Sequence, residues 1–265
     1  YPDRFKEGQL RTFQRKIKRW RGLEGPQKEV YFPQEHLPGK LCSSDFTCMN
    51  ELNITIGKQP YNHLLYHFVL CCSNWETGSP CASESFESLS AGLQSALWQL
   101  GAVPACHLTD RLSAASRNKP GRQLFTERYE ALLRHYGLSG RRTQPASPHE
   151  NGDIEQRNYR LKRAIEQALL LRGSRDFESH RAYEQFLKVL FNKLNALRKE
   201  KLAEELTFMK RLPLTRFQTS KRLTALPVST YSTIRVENNT YSVNSRLIGE
   251  KVDVFLHPEK LEVWY

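Results

Sequence analysis

Apolar positions along this chain change their spacing several times, and each change marks a different kind of element. Leu10, Phe13, Ile17 and Trp20 recur three and four residues apart, which predicts a helix over 8–21. Residues 22–40 carry Gly22, Gly25, Pro26, Pro33, Pro38 and Gly39 and predict a linker. From 41 the pattern becomes that of strands: LCSSDFTCM, NITIG, the apolar run HLLYHFVLCCS, and SPCAS. Phe86, Leu89, Leu93, Leu97 and Leu100 then mark a helix over 86–100. ACHLTD reads as a short strand, SRNKPGR as a flexible connection, 124–136 as a helix and RRTQP as an extended piece. A long helix follows over 152–172, with Ile154, Leu161, Ile165, Ala168 and Leu169 as its inward stripe. Strands grouped first, then alternating with helices, predict an α/β sheet with some antiparallel members.

Residues 177–206 continue helical, and Tyr183, Phe186, Leu187, Leu190, Leu194 and Leu197 form a stripe that needs a partner surface. Residues 207–226 show no period and hold Lys210, Arg211, Arg216, Lys221 and Arg222, which predicts an extended basic linker. The remainder alternates, with turn signals at Asn238-Asn239 and His257-Pro258, and predicts a small β-barrel or open sheet. The chain starts at Tyr1 and stops at Tyr265 with a strand in progress, so the expectation is a fragment of a longer protein whose barrel lacks its closing strand. No apolar run approaches the roughly 20 residues of a membrane span. The start, YPDRFKEGQL, lacks the apolar stretch of a signal peptide.

Charge changes the picture more than composition does. The net charge is +12, but residues 1–28 carry nine Lys/Arg against three acids, and residues 122–226 carry 22 against 12. Between them, residues 29–121 carry five against eight, and residues 227–265 carry four against five. A basic surplus confined to two segments suits phosphate-contacting elements beside a less basic core; solvated charge on helical faces is the alternative. On the first helix the candidate contacts are Arg11, Arg15, Lys18 and Arg19, and a short basic helix there suits the end of a helix-turn-helix. The six cysteines include no Cys-x-x-Cys pair and no His at zinc-ligand spacing, so they read as reduced, mostly buried thiols.

Three acids stand out by context. Asp45 lies mid-strand in SSDFT, a costly place for a carboxylate without a partner or metal. Asp110 ends the strand ACHLTD, and open sheets meet their ligands at the carboxyl ends of strands. Glu155 is expected in the first turn of the long helix, with Asn151 as its N-cap and Gly152 letting the loop turn close by. Converged carboxylates repel one another unless cations relieve them. A pair of Mg2+ or Mn2+ ions about 4 Å apart does so and supports in-line phosphoryl displacement. On the same helix Tyr159 and Lys162 share the face of Glu155, while Arg157, Arg160 and Arg163 spread to its flanks. His63 and His67, four apart in an apolar run, read as strand residues.

With these residues assembled, Asp45 in SDFT, Asp110 in TDRLSAA and Glu155 in SPHENGDIE resemble the acidic triad of retroviral-integrase-like transposases. The stretches SESFESLSAGLQSALWQLG, RRTQPASPHENGDIEQRNYRLKRA and TYSVNSRLIGE resemble the IstA class of bacterial insertion-sequence transposases, over nearly the whole chain and in order. Arg111 follows the second Asp where many relatives have Asn, and the His-His-Cys-Cys zinc module of retroviral integrases is absent. The resemblance implies an RNase H-like mixed-sheet catalytic core, a helical extension and a small C-terminal β-barrel. Its expected division is a helix-turn-helix end over 1–28, a linker over 29–40, the core over 41–172, the extension over 173–206, a basic linker over 207–226 and the barrel over 227–265.

The same resemblance implies Asp45, Asp110 and Glu155 as catalytic and metal-binding residues holding two divalent ions, with no organic cofactor. Expected DNA contacts are Arg11, Arg15, Lys18, Arg19, Arg157, Tyr159, Lys162, Arg163, Lys210 and Arg211. The implied activity is cleavage at transposon ends, freeing a 3′-hydroxyl, followed by its joining to target DNA. Implied partners are double-stranded DNA, further copies of the chain on paired ends, and an AAA+ ATPase target selector resembling IstB. The implied setting is the bacterial cytoplasm, at the nucleoid, with no membrane. Two other readings share the fold: a catalytically silent DNA-binding scaffold or regulator, and a plain nuclease.

Overall fold

The computed structural model describes residues 8–26, 36–109, 116–119, 122–142, 148–218, 221–236, 239–256 and 260–265. The chain divides into two units, Tyr1–Glu35 and His36–Tyr265. The first contains α1 (Gln9–Leu23), an amphipathic helix with no buried residue, which runs two residues past the predicted end.

In the second unit β1 (Leu41–Cys48), β2 (Thr55–Ile56), β3 (Gln59–Pro60), β4 (Leu64–Leu70) and β5 (Glu76–Cys81) precede α2 (Phe86–Leu100). Then come β6 (Cys106–Thr109), β7 (Ser116–Lys119), β8 (Arg122–Phe125), α3 (Glu127–Tyr136) and β9 (Ser139–Arg142). Next are α4 (Pro148–Arg172), β10 (Asp176–Phe177), α5 (His180–Asn195) and α6 (Lys199–Leu206). Five strands follow: β11 (Lys221–Pro227), β12 (Thr233–Val236), β13 (Asn239–Ser242), β14 (Lys251–Leu256) and β15 (Leu261–Trp264).

The main sheet has the order β5-β4-β1-β6-β9. β4 runs antiparallel to β1 and β5, whereas β6 runs parallel to β1 and β9. Alternation along the strands sorts the side chains onto two faces. Cys42 and Phe46 of β1 and Tyr66, Phe68 and Leu70 of β4 pack with the stripes of α2 and α3. Leu65 of β4 faces the other way, into Leu161, Ile165 and Leu169 of α4 and Tyr183, Leu187 and Phe191 of α5. Helices therefore cover both faces of a mixed sheet. The stripe expected on 177–206 finds its partner in this second core. Leu197 leaves the stripe and is 98% exposed, because α5 ends at Asn195 and a 3-10 turn redirects the chain.

Local expectations change in four places. The segment read as a flexible connection contributes to an antiparallel strand pair, Ser116↔Phe125 to Lys119↔Arg122. The helix predicted from 124 starts at Glu127, where the Thr126 side chain accepts from the Tyr129 N–H as an N-cap. α4 begins at Pro148, a residue favoured at the first helical position, rather than at 152. Asn151 and Gly152 therefore lie inside the helix, and Glu155 stands about two turns in rather than in the first turn.

The fourth change concerns the segment read as a basic linker, which is strapped onto the core. Val103 and Lys210 exchange backbone hydrogen bonds of 2.8 and 2.9 Å. Gln94 accepts from the Phe217 N–H at 2.7 Å and donates to the Phe217 carbonyl at 3.1 Å. Met209, Leu212 and Phe217 pack against the first core. Beyond the strap, β11-β14-β15 and β12-β13 form two ladders around Val228, Ile234, Val236, Val252 and Val254. Among the described residues these ladders do not close into a barrel. Among those residues, too, no helix is long and apolar enough to cross a membrane. All six cysteines are free, with Cys42 and Cys71 buried and Cys48 exposed.

Close packing of α2 on β4 depends on Gly92. A Cβ there would lie 2.4 to 2.9 Å from three atoms of the Tyr66 ring. Gly92→Ala should therefore destabilise the fold by about 1–3 kcal/mol, the usual range for overpacking. Urea unfolding checks this, and an unchanged midpoint would show that the helix accommodates the methyl.

Candidate functional site

Asp45 sits mid-strand in β1 on the face that α4 covers. Asn158 of α4 donates from Nδ2 to Asp45 Oδ2 at 2.7 Å. The same amide accepts at Oδ1 from His67 Nδ1, 3.0 Å away. His67 lies directly across from Asp45 in the β1–β4 ladder. Its Nε2 meets Glu76 Oε2 at 2.8 Å, and Arg198 Nη1 reaches Glu76 Oε1 at 2.6 Å. Arg198 also donates to the Asn74 carbonyl, while the Asn195 side chain bonds both backbone groups of Glu76, at 3.0 and 2.7 Å.

This chain of contacts fixes the donors. An amide oxygen and a carboxylate can only accept, so both ring nitrogens of His67 face acceptors. Burial alone would raise the Glu76 carboxyl, but its hydrogen bond and charge interaction with His67, joined by those with Arg198, hold it below the ordinary carboxylate range. Ser43, Asp45, His67, Arg157 and Asn158 line a small cleft at this point.

A second polar set braces β1 from the opposite face. Ser44 Oγ and His107 Nε2 are 2.8 Å apart, and His107 Nδ1 and the Tyr129 hydroxyl 2.7 Å. Burial pushes His107 down to about 3, so its ring is neutral and one nitrogen donates while the other accepts. The parallel ladder pairs Ser44 with Thr109. Thr109 precedes Asp110 in sequence just as Ser44 precedes Asp45. Asp110 itself lies outside the described residues. The backbone of Glu155 belongs to α4, three residues before Asn158, and its side chain lies outside the described set.

The remaining candidates are dispersed. Tyr159 is 61% exposed, with the Arg163 guanidinium 5.9 Å from its ring centroid. Lys162 pairs with Glu51 at 3.1 Å. Arg11, Arg15, Lys18 and Arg19 are exposed on α1, in the other unit. Lys210 donates from Nζ to the Gly137 carbonyl at 2.6 Å, and Arg211 is exposed beside it. Among the described residues no three His, Cys, Asp or Glu side chains are grouped as metal ligands. Sequence reasoning missed Asn158, Glu76, Arg198 and His107. Only Asn158 left a trace, its place one turn after Glu155.

Residues 212–265 match the family described as Mu transposase, C-terminal domain. Along 89% of its length the chain resembles 84% of a chain of the simian T-cell lymphotropic virus intasome in complex with PP2A regulatory subunit B56 gamma, with a TM-score of 0.51 and 15% identity. That likeness shows the fold, a mixed α/β architecture of the RNase H-like kind. The HTLV-2 integrase catalytic core domain in complex with magnesium (dimeric form) gives a TM-score of 0.44 at 19% identity, over 61% of this chain and 89% of that one. In sequence the chain is 40% identical over 261 residues to the uncharacterized protein y4jA/y4nE/y4sE of Sinorhizobium fredii (strain NBRC 101917 / NGR234). The match takes in 97% of this chain and 52% of that protein, so the chain spans about half the length of the curated relative it matches.

His107 gives the brace a pH signature. The unfolded chain takes up a proton at this histidine near its ordinary value of 6.5, whereas the native ring takes one only near 3. Stability should therefore fall as pH is lowered from about 6.5 towards 3. His107→Gln should flatten this loss between pH 7 and 5 in urea melts. A variant as pH-sensitive as the parent would assign the effect elsewhere.

Proposed function

We propose that this chain is the catalytic part of an IstA-class DNA transposase, cleaving transposon ends and joining the freed 3′-hydroxyl to target DNA. The observation that carries the reading is the Asn158–Asp45 hydrogen bond. It sets the helix bearing Glu155 against the strand bearing Asp45, beside the end of β6 that leads to Asp110. Asp45, Asp110 and Glu155 are the proposed catalytic acids.

Carboxylate oxygens are the donors that Mg2+ and Mn2+ prefer, and Asp45 presents a carboxylate at the cleft, held by Asn158. When bound, a pair of such ions supplies nucleophile activation and leaving-group stabilisation for in-line phosphoryl transfer. The protein's own part is positioning: Asn158 aims Asp45, and the packed stripe of α4 fixes the helix on the sheet. Tyr159, Lys162 and Arg163 contact the DNA backbone beside the acids, with Arg157 at the cleft. Lys210 and Arg211, and separately Arg11, Arg15, Lys18 and Arg19 on the exposed basic face of α1, are further proposed DNA contacts.

The C-terminal strands belong to the same assembly, in which several copies hold paired ends and an IstB-like AAA+ ATPase selects the target at the bacterial nucleoid. A silent scaffold or a plain nuclease of this fold would give no joined product, so strand transfer separates the readings. Asp45→Asn, Asp110→Asn and Glu155→Gln should each reduce end cleavage and joining to background with DNA binding nearly unchanged. Normal joining by any one of them removes that residue from the site. Activity that survives EDTA would exclude metal-assisted chemistry. Neutralising Lys162 should weaken DNA binding and lower the salt slope by about one unit; an unchanged slope would leave Lys162 to Glu51 alone.

A further inference from the structure

We propose that His67 is a positioning residue of this site, orienting Asn158, and through it Asp45, from the Glu76–Arg198 ion pair. The inference rests on the function proposed above. Three observations carry it: the geometry of the amide, the burial of the relay, and the place where the relay ends.

A side-chain amide has two nearly isosteric orientations. Turned one way, Asn158 gives Asp45 a donor; turned the other, it sets an oxygen against a carboxylate. Its contact with Asp45 alone is partly open to solvent, and water can take over either role. His67 Nδ1 removes the ambiguity, because with its hydrogen on Nδ1 the ring can pair only with the amide oxygen, 3.0 Å away. The favourable orientation towards Asp45 is thus set from behind.

The ring that does this is itself fixed. His67 is 3% exposed, and the Phe191 ring of α5 stacks on it with centroids 6.3 Å apart and planes 27° from parallel. Its second nitrogen is occupied by Glu76, and the second oxygen of Glu76 by Arg198. A buried polar group without partners is costly, so each member holds the next in place. Arg198 lies in the 3-10 turn between α5 and α6, and Asn195 clips that turn to the edge strand β5. The relay therefore joins the acid on β1 to the junction of two helices 122 residues beyond Glu76.

The test compares the parent chain with His67→Phe, which keeps the ring volume and the stacking but removes both donors, and with Arg198→Ala. Without metal, hydrogen exchange at the Asn158 side-chain amide should be slow in the parent and faster in both variants. In strand joining, the Mn2+ concentration for half-maximal rate should rise about 10- to 100-fold for His67→Phe, the usual effect of removing an outer-shell partner. DNA affinity should not change. A histidine that served only to hold the sheet together would lower thermal stability and leave both readouts at parental values, which overturns the proposal. Should His67→Phe not fold, Arg198→Ala decides alone, since its side chain is 26% exposed. A parent chain that joins no DNA while its amide exchange responds as described would refute the transposase reading and retain the relay.

Discussion

A carboxylate in the middle of a strand, on a face that a helix covers, is tolerable only where something polar meets it. Here the helix supplies that group: Asn158 of α4 reaches Asp45 of β1 at 2.7 Å. The contact holds because the register of α4 is set elsewhere, by Leu161, Ile165 and Leu169 buried against Leu65 and α5. A rotation of the helix by one residue, about 100°, would move both the apolar stripe and the amide away from their partners. Apolar packing and the polar contact thus demand the same helix orientation, and the orientation of Glu155's backbone position follows from it.

Polarity is arranged differently on the two sides of β1. On one side Ser44, His107 and Tyr129 form a neutral set, because burial keeps His107 from taking a proton. On the other, Asp45, Asn158, His67, Glu76 and Arg198 form an ionic one, in which the Glu76 carboxyl is held low by the positive groups beside it. A neutral brace behind the strand keeps its register to β6 without adding charge close to Asp45. The ionic set in front fixes direction, at the cost of burying an ion pair that needs every partner in place.

Much of this was legible in the sequence wherever one period dominated. The stripe from Phe86 to Leu100 gave α2 with its observed bounds, and the apolar run after His63 gave β4. Misreadings came where two signals competed. Gly152 and Asn151 suggested a helix start, but Pro148 four residues earlier is a stronger one, and the helix runs on through the glycine. The basic residues of 207–226 suggested a linker, yet Met209, Leu212 and Phe217 bind that segment to the core. The relay was not legible at all: His67 and Asn158 are 91 residues apart, and Glu76 and Arg198 are 122 apart. No local pattern encodes such pairs, since only the fold brings them together.

The fold is shared with a chain of a retroviral intasome and residues 212–265 match the Mu transposase C-terminal domain, while the chemistry proposed for the chain depends on three acids meeting at one place. A crystal structure of the chain soaked with Mn2+, with anomalous difference density, tests that most directly. The account predicts density at the Asp45 carboxylate, with Asp110 and Glu155 oxygens completing its coordination and Asn158 still bonded to Asp45. Density elsewhere, or a carboxylate of the three turned to a remote surface with the metal bound, would contradict it.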